Sequence, residues 1–464
     1  MKLRRLILAL VLMAALLLSC SASAFADPTA FSLQLLVGEK KVTVRALQNE
    51  YPDNYYISLW DLSAALDGTP RSFRFAYQNT TADGEFFTVT TGVGAGVGSA
   101  AGRATEKPWT SSFVPFRNRI FVNGQEHRYY TYREGRDLYM SLTDIQLMLD
   151  LPAELQEEGV RLYPDQHFCP DAEELDRLGY FDAFSAVLVA DADTGCILFS
   201  RGAQAPMPIA SISKLMTYLL LAEGAEQGEI SFYDSVTASE KAAALSRTVD
   251  SMVTLEAGRD YPFQDLLGTM LLASSNECAL ALAEHLAGSE EAFVARMNDR
   301  AAELGLETAH FYNPHGLPLY LNQALSTKVG NCMSAEDLFA LCQLLLHDHP
   351  ELNRITRERY GSMPSLNYVT ANSNALVFNM EGCNGLKTGS TNKAGSCLAA
   401  SMPVTVGGET HTAVVIVLGA EAAYARNQAA EILMRYARDT WQERGFLWPD
   451  IPEETAPDSA AKGA

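Results

Sequence analysis

The stretch from Pro208 to Tyr218 constrains this chain most. Ser211, Ile212, Ser213 and Lys214 lead into Leu215 and Met216, and Leu219, Leu220, Leu221 and Ala222 extend the apolar run. The pattern predicts the start of a helix buried in a core. Ser211 and Lys214 are three residues apart, which places both on one helix face about 5–6 Å apart at Cβ. A serine hydroxyl is a weak nucleophile until a neighbouring base takes its proton. A lysine can be that base once burial and nearby positive charge lower its pKa. The positive end of the helix dipole would also favour negative charge developing at Ser211. Alone, the pair describes a solvated lysine beside an ordinary serine equally well, so the decision rests on motifs further along the chain.

The chain has 464 residues, enough for two or three domains, and 48% hydrophobic residues, enough for a substantial core. Its net charge of −21 argues against nucleic acid as a partner and against a polybasic membrane patch. At the N-terminus, Lys2, Arg4 and Arg5 precede an apolar run from Leu6 to Leu18, and Ala24-Phe25-Ala26 fits a small-x-small cleavage site. Residues 1–26 therefore read as an export signal peptide, with an apolar run short for a membrane span. Leu17-Leu18-Ser19-Cys20 also resembles a bacterial lipoprotein box, and a lipid on Cys20 would tether the protein to the outer face of the membrane. Without Cys20 the cysteine number is odd, and the spacing is not that of a zinc site. Cys278 and Cys342 fall in apolar helical patterns and read as core residues, and a disulfide between Cys383 and Cys397 is left open.

Residues 27–165 form a first α+β region containing a repeat. Asn54-Tyr55-Tyr56-Ile57-Ser58-Leu59-Trp60-Asp61-Leu62 returns as Asp137-Leu138-Tyr139-Met140-Ser141-Leu142-Thr143-Asp144-Ile145. Each copy predicts a strand entering a short helix capped by Ser or Asp, and Ile120 to Gln125 predicts a hairpin. The region resembles the copper amine oxidase N-terminal-like domain. It shows no His/Cys cluster, so no metal is inferred, and a wall-polymer-binding role and a structural stalk are both open. The glycines from Gly92 to Gly102 lack the spacing of a phosphate-binding loop and read as a surface loop.

Residues 166–182 read as a linker and 183–446 as a further domain, which holds the serine–lysine pair. Ala186–Ala190 and Cys196–Phe199 predict a strand pair around the turn Asp193-Thr194-Gly195. Phe263–Ala287 reads as one dense helical segment, followed by helices at Glu290–Leu304 and Ala335–His347. Strands at Ser396–Ser401 and Thr412–Leu418 are joined through Gly407-Gly408, and a helix fits Tyr424–Arg444. The tail at 447–464, rich in Pro, Ala and acids, reads as disordered. The order of strands, helices and strands implies a sheet with helices on both faces plus a helical subdomain.

Two further motifs come after the serine–lysine pair, in order. Ser274-Ser275-Asn276 places polar residues in an apolar segment, where they must find partners, face a cleft, or, as the motif alone reads more readily, form a polar loop between two helices. Lys387-Thr388-Gly389-Ser390 supplies positive charge, two hydroxyls on the same side of a strand, and a glycine that would let substrate backbone approach. Each is weak by itself, but agreement of all three at workable spacing is not a common accident.

Together these motifs resemble those of penicillin-recognising serine enzymes. Glu277-Cys278-Ala279-Leu280-Ala281-Leu282-Ala283-Glu284, Met297-Asn298, Glu303-Leu304-Gly305-Leu306 and Asn313-Pro314-His315-Gly316-Leu317 resemble the low-molecular-mass penicillin-binding proteins. These are serine-type D-alanyl-D-alanine carboxypeptidases. The resemblance covers about residues 182–440 and implies a β-lactamase/transpeptidase-like α/β (α+β) fold with a central antiparallel sheet.

It also implies catalysis by Ser211, Lys214 and Ser274 without a metal or other cofactor. Asn276, Lys387, Thr388, Gly389 and Ser390 would bind substrate, and the backbone N–H groups of Ser211 and Ser390 would form an oxyanion hole. Peptidoglycan stem peptides would be the substrates, β-lactams would acylate Ser211, and the protein would work outside the cytoplasm at the cell wall. Some relatives carry an arginine after the strand ending at Ala420 to hold the substrate carboxylate. Glu421 stands there instead, with Arg426 nearby in sequence. His315 reads as a loop-fixing residue.

A β-lactamase-like hydrolase is the alternative, but it would need a Glu-x-x-Leu-Asn loop near Glu307-Thr308-Ala309-His310, where that pattern is missing. A wall-binding protein with little activity would predict a broken motif, and every motif residue is present.

Overall fold

The structure is a computed structural model that describes residues 29–48, 55–80, 84–94, 116–157, 159–248, 250–322 and 327–446. Residues 1–26, read as a signal peptide, Cys20, the glycines beyond Gly94 up to Gly102 and the tail at 447–464 lie outside the described residues. The chain divides into two units, Met1–Phe168 and Cys169–Ala464.

The first unit carries β1 (Thr29–Val37), β2 (Lys40–Gln48), β3 (Tyr55–Ser58), α1 (Leu59–Ala65), β4 (Phe73–Thr80), β5 (Gly84–Thr91), β6 (Phe116–Val122), β7 (Gln125–Glu134), β8 (Asp137–Ser141), α2 (Leu142–Leu149), β9 (Ala153–Gln156) and β10 (Gly159–Leu162). The strands form one sheet in the order β4-β5-β6-β7-β8-β3-β2-β1-β10-β9. Both copies of the repeat make the expected strand–helix unit. Ser58 Oγ accepts the Asp61 amide at 3.2 Å and Ser141 Oγ accepts that of Asp144 at 3.1 Å, capping each helix. The copies are also partners: β3 and β8 pair antiparallel with Ile57 opposite Met140. Arg45 Nη2 donates to Asp61 Oδ1 and Asp137 Oδ2, both at 2.8 Å, and the Ser58 hydroxyl donates to Asp137 Oδ2 at 2.6 Å. One carboxylate of the second copy thus closes a polar network in the first. The predicted hairpin turns at Asn123-Gly124, both in the left-handed region, as a two-residue type I′ loop requires.

The second unit begins earlier than the linker reading allows. Asp171 Oδ1 accepts the Glu174 amide at 2.8 Å and caps α3 (Ala172–Arg177); the Asp-x-x-Glu spacing is a capping signature. A 3-10 turn follows at Tyr180–Ala183, and Phe181 is buried with its ring 5.4 Å from Phe199. Residues 171–183 are therefore folded into this unit.

Its sheet comprises β11 (Ala186–Asp191), β12 (Ile197–Arg201), β13 (Gly385–Thr391), β14 (Gly395–Val406) and β15 (Glu409–Ala420), antiparallel throughout in the order β12-β11-β15-β14-β13. Every residue of β11 is buried, so both faces of the sheet are covered there. Gly407 and Gly408, both at positive φ, close the two-residue hairpin between Val406 and Glu409.

The helical part includes α4 (Lys214–Glu226), α5 (Phe263–Gly268), α6 (Asn276–Ala287), α7 (Glu290–Glu303), α8 (Ala335–Asp348) and α9 (Ala423–Arg444). The helical segment over Phe263–Ala287 is broken at Ser274-Ser275, in line with the reading of this motif as a polar loop between two helices. A π turn at Thr269–Ala273 ends at Ser274, whose φ of 66° is left-handed, and Ser275 then caps α6 by accepting the Cys278 amide at 3.1 Å. Apolar periodicity runs through the break because the residues on both sides are buried. All seven described cysteines are free, Cys383 and Cys397 included.

Candidate active site

Ser211 does not lie in the α-helix but in the 3-10 turn Ala210–Ser213 that precedes it, and α4 begins at Lys214. Ala210 holds φ at 49°, sparsely populated for a residue with a Cβ, which turns the chain sharply before Ser211. Two glycines make room for that turn. A Cβ on Gly316 would lie 2.0 Å from Ala210 O, and one on Gly389 would lie 2.8 Å from Ser211 N and 2.9 Å from Ile209 O. The close approach at Gly389 is therefore made by the chain's own backbone at Ser211, where the sequence predicts substrate.

Lys214 is fully buried, and its Nζ has three oxygen neighbours: Ser211 Oγ at 2.9 Å, Asn276 Oδ1 at 2.8 Å and His315 O at 2.7 Å. Burial, and then the charge of Lys387, hold its pKa well below the ordinary lysine value; Glu277 and Cys278 act in the opposite direction. A neutral amine keeps two N–H donors and one lone pair. Asn276 Oδ1 and His315 O take the donors, which leaves the lone pair for the Ser211 hydroxyl proton.

The loop that presents His315 O is fixed internally. Asn313 Oδ1 accepts the amides of His315 at 3.2 Å and Gly316 at 2.6 Å, and Thr217 on α4 donates to Pro314 O at 2.6 Å. His315 Nδ1 accepts the Leu317 amide at 3.2 Å, so its proton sits on Nε2. Burial, followed by the charges of Lys214 and Lys241, pushes His315 down to about 3 and keeps it neutral, matching a loop-fixing role.

β13 brings in the third motif. Lys387 is buried, and its Nζ donates to Thr388 O at 3.0 Å. Burial, and then the charge of Arg426, lower it to about 7. Thr388 Oγ1 and Ser373 Oγ share a hydrogen bond at 2.6 Å, and Ser390, exposed, donates to Ser396 Oγ at 3.3 Å. Beside Ser390 opens a cleft of about 850 Å³ whose lining includes Asp250, Leu317, Asn392 and Glu421. Arg426 turns away from it: its guanidinium is buried and donates to Asn427 Oδ1 at 2.8 and 3.0 Å.

Of the predicted residues, Ser211, Lys214 and Asn276 share one hydrogen-bonded cluster, Gly389 abuts it, and Lys387 couples to it through charge. Ser274 is half-buried, and its hydroxyl makes no hydrogen bond among the described residues. Sequence reasoning assigned no role to Ala210 or to Gly316, where a close contact requires glycine; a glycine after Asn-Pro-His was the available signal.

A distant group of Asp191, Asp193 and His411 could offer three ligand atoms to a metal. Those atoms already serve each other and the backbone, since His411 Nδ1 lies 2.6 Å from Asp191 Oδ2 and Asp193 Oδ2 accepts the Thr412 amide at 2.6 Å.

Residues 174–422, just over half of the chain, match the family model described as D-alanyl-D-alanine carboxypeptidase. The chain belongs to that family. It is 32% identical over 259 residues to D-alanyl-D-alanine carboxypeptidase DacF of Bacillus subtilis, which covers 55% of this chain and 62% of that protein. It is 32% identical over 224 residues to DacA of Escherichia coli, covering 47% and 53%. The crystal structure of PBP3 from Streptococcus pneumoniae, described as a peptidoglycan synthesis regulatory factor, is similar with a TM-score of 0.51 at 29% identity. That match covers 55% of this chain and 72% of the other. This family member thus spans less than two thirds of the length of these two curated relatives, and its carboxypeptidase fold is a mixed α/β unit with a central sheet between helices.

Proposed function

We propose that this protein is an exported serine D-Ala-D-Ala carboxypeptidase acting on peptidoglycan stem peptides. The observation that carries the reading is the buried Lys214 amine, 2.9 Å from Ser211 Oγ, with its other two neighbours both fixed acceptors. Ser211 Oγ attacks the carbonyl carbon between the two terminal D-alanines while its proton passes to Lys214 Nζ. The tetrahedral oxyanion is held by the backbone N–H groups of Ser211 and Ser390. The C–N bond then breaks, the departing D-alanine amine takes a proton relayed through the Ser274 hydroxyl, and an ester remains on Ser211. Water hydrolyses that ester and restores the serine. Asn276 holds the substrate amide, Lys387 adds positive field, and Thr388 and Ser390 receive the terminal carboxylate.

β-Lactams enter the same path and stall as the acyl-enzyme, because their leaving group stays attached. The signal at residues 1–26 supports action outside the cytoplasm, and Cys20 would supply a lipid tether. The first unit is assigned to wall binding or to a stalk. The test is release of free D-alanine from an N-acylated peptide ending in D-Ala-D-Ala. Wild type should release it, and Ser211→Ala should lose at least about a thousandfold in rate. Equal release by both proteins, or none by wild type, would refute the proposal.

A further inference from the structure

Glu277 follows the second motif and is fully buried. Its Oε1 accepts the backbone amides of Met252 at 2.8 Å and Val253 at 2.6 Å. Among the described residues between Leu245 and Asp260, the amides of Ser251, Gly258 and Arg259 find backbone carbonyls, whereas those of Met252, Val253, Leu255 and Glu256 are taken by side-chain acceptors. Ser246 Oγ takes the Leu255 amide at 3.1 Å and the Tyr261 hydroxyl takes that of Glu256 at 2.9 Å. The segment also reaches the site: Asn276 Nδ2 donates to Asp250 O at 3.2 Å, and Asp250 lines the cleft beside Ser390. Glu277 Oε2 is buried and has no hydrogen-bond partner among the described residues.

We infer that Glu277 is a positioning residue: its carboxylate pins the chain at Met252 and Val253, close behind the Asp250 that lines the cleft, and places a negative charge one residue along α6 from the Asn276 that binds Lys214. This inference rests on Ser211 being the acylated nucleophile. The groups around Lys214 are Lys387 from β13, Glu277 and Cys278 from α6, and neutral His315 from its loop, with Arg426 behind Lys387 and Lys241 beyond His315. Of these, Glu277 is the buried carboxylate. Its charge favours the ammonium form of Lys214, against burial and Lys387. It therefore keeps the base from becoming too weak to take the serine proton.

Two substitutions separate the roles. Glu277→Gln keeps a carbonyl oxygen for the Met252 and Val253 amides and removes the charge. Glu277→Ala removes both. Acylation by a β-lactam is followed by stopped-flow across pH, with hydrogen exchange at the 252 and 253 amides as the structural readout. For Glu277→Gln, the acidic limb of the acylation profile should move to lower pH by about half a unit or more, with exchange unchanged. For Glu277→Ala, exchange at both amides should rise, and acylation should fall roughly tenfold to a hundredfold. An unmoved limb in the first variant, or wild-type acylation in the second, overturns the inference. Absence of acylation in the wild type would instead sink the reading of Ser211 on which it rests.

Discussion

The amide nitrogen of Ser211 lies where a Cβ on Gly389 would come within 2.8 Å of it. The third motif therefore touches the nucleophile's backbone directly, and β13 positions Ser211 as well as facing the cleft. Gly316 clamps the other side of the same peptide, at φ 91° and with a notional Cβ 2.0 Å from Ala210 O. Gly389→Ala presses on the backbone at Ile209 and Ser211, so it should lower the melting temperature and lose acylation by about a hundredfold, because the displaced atoms belong to the proposed nucleophile. Gly316→Ala collides with backbone and demands positive φ, so it should lower the melting temperature as well. Acylation kinetics beside a thermal melt check both; wild-type kinetics in either variant would contradict the clamp.

Lys387 gives opposite signs for activity and stability. Its positive charge depresses Lys214, so Lys387→Met should raise the pKa of Lys214 and move the acidic limb of acylation to higher pH. That is opposite in sign to Glu277→Gln. For stability, Lys387 sits at about 7 in the fold against an ordinary 10.5. Its contribution is fully present above about pH 10.5 and lost as pH falls towards 7. Lys387→Met removes a buried charge below pH 7 and gives up the bond to Thr388 O. It should be more stable than wild type at pH 6 by on the order of 1–3 kcal/mol, with the advantage shrinking as pH rises. Denaturant titrations at pH 6 and 9 measure this.

The break at Ser274 separates a backbone role from a hydroxyl role. Glycine accepts the left-handed φ at that position, so Ser274→Gly should leave the melting temperature within a few degrees while turnover of the peptide falls by roughly 10²- to 10⁴-fold. Ser275→Ala removes the cap from α6 and should cost about 1 kcal/mol. A Ser274→Gly enzyme with wild-type turnover would remove Ser274 from the proton relay.

The proposed catalytic residues are legible because their chemistry restricts residue type and spacing. Ser211 with Lys214, Asn276, and Lys387 through Ser390 are visible in one dimension, and the strand–helix repeat in the first unit follows from alternation and serine caps. What cannot be read depends on contacts between distant segments. The break at Ser274 is signalled by the polar run Ser274-Ser275-Asn276, but the π turn before it is hidden because Thr269–Ala273 is buried and mostly apolar. The folded segment at 171–183 reads as a linker because its Asp171 cap sits in a polar stretch that also suits a loop. Gly389 is legible as a place of close approach, but which backbone approaches is decided only by packing. Glu277 looks like any acid on a helix until the fold brings the amides of Met252 and Val253 to it from elsewhere in the chain.

The central claim is that Lys214 activates Ser211 for acyl transfer. It is tested most directly by intact mass after mixing with a β-lactam, followed by peptide mapping, on wild type, Ser211→Ala and Lys214→Met. A single persistent adduct on Ser211 in the wild type, absent from Ser211→Ala and formed at least about a thousandfold more slowly in Lys214→Met, is the expected outcome. An adduct mapping to another residue, or one that forms at the wild-type rate without the Lys214 amine, would show that this pair is not the catalytic centre.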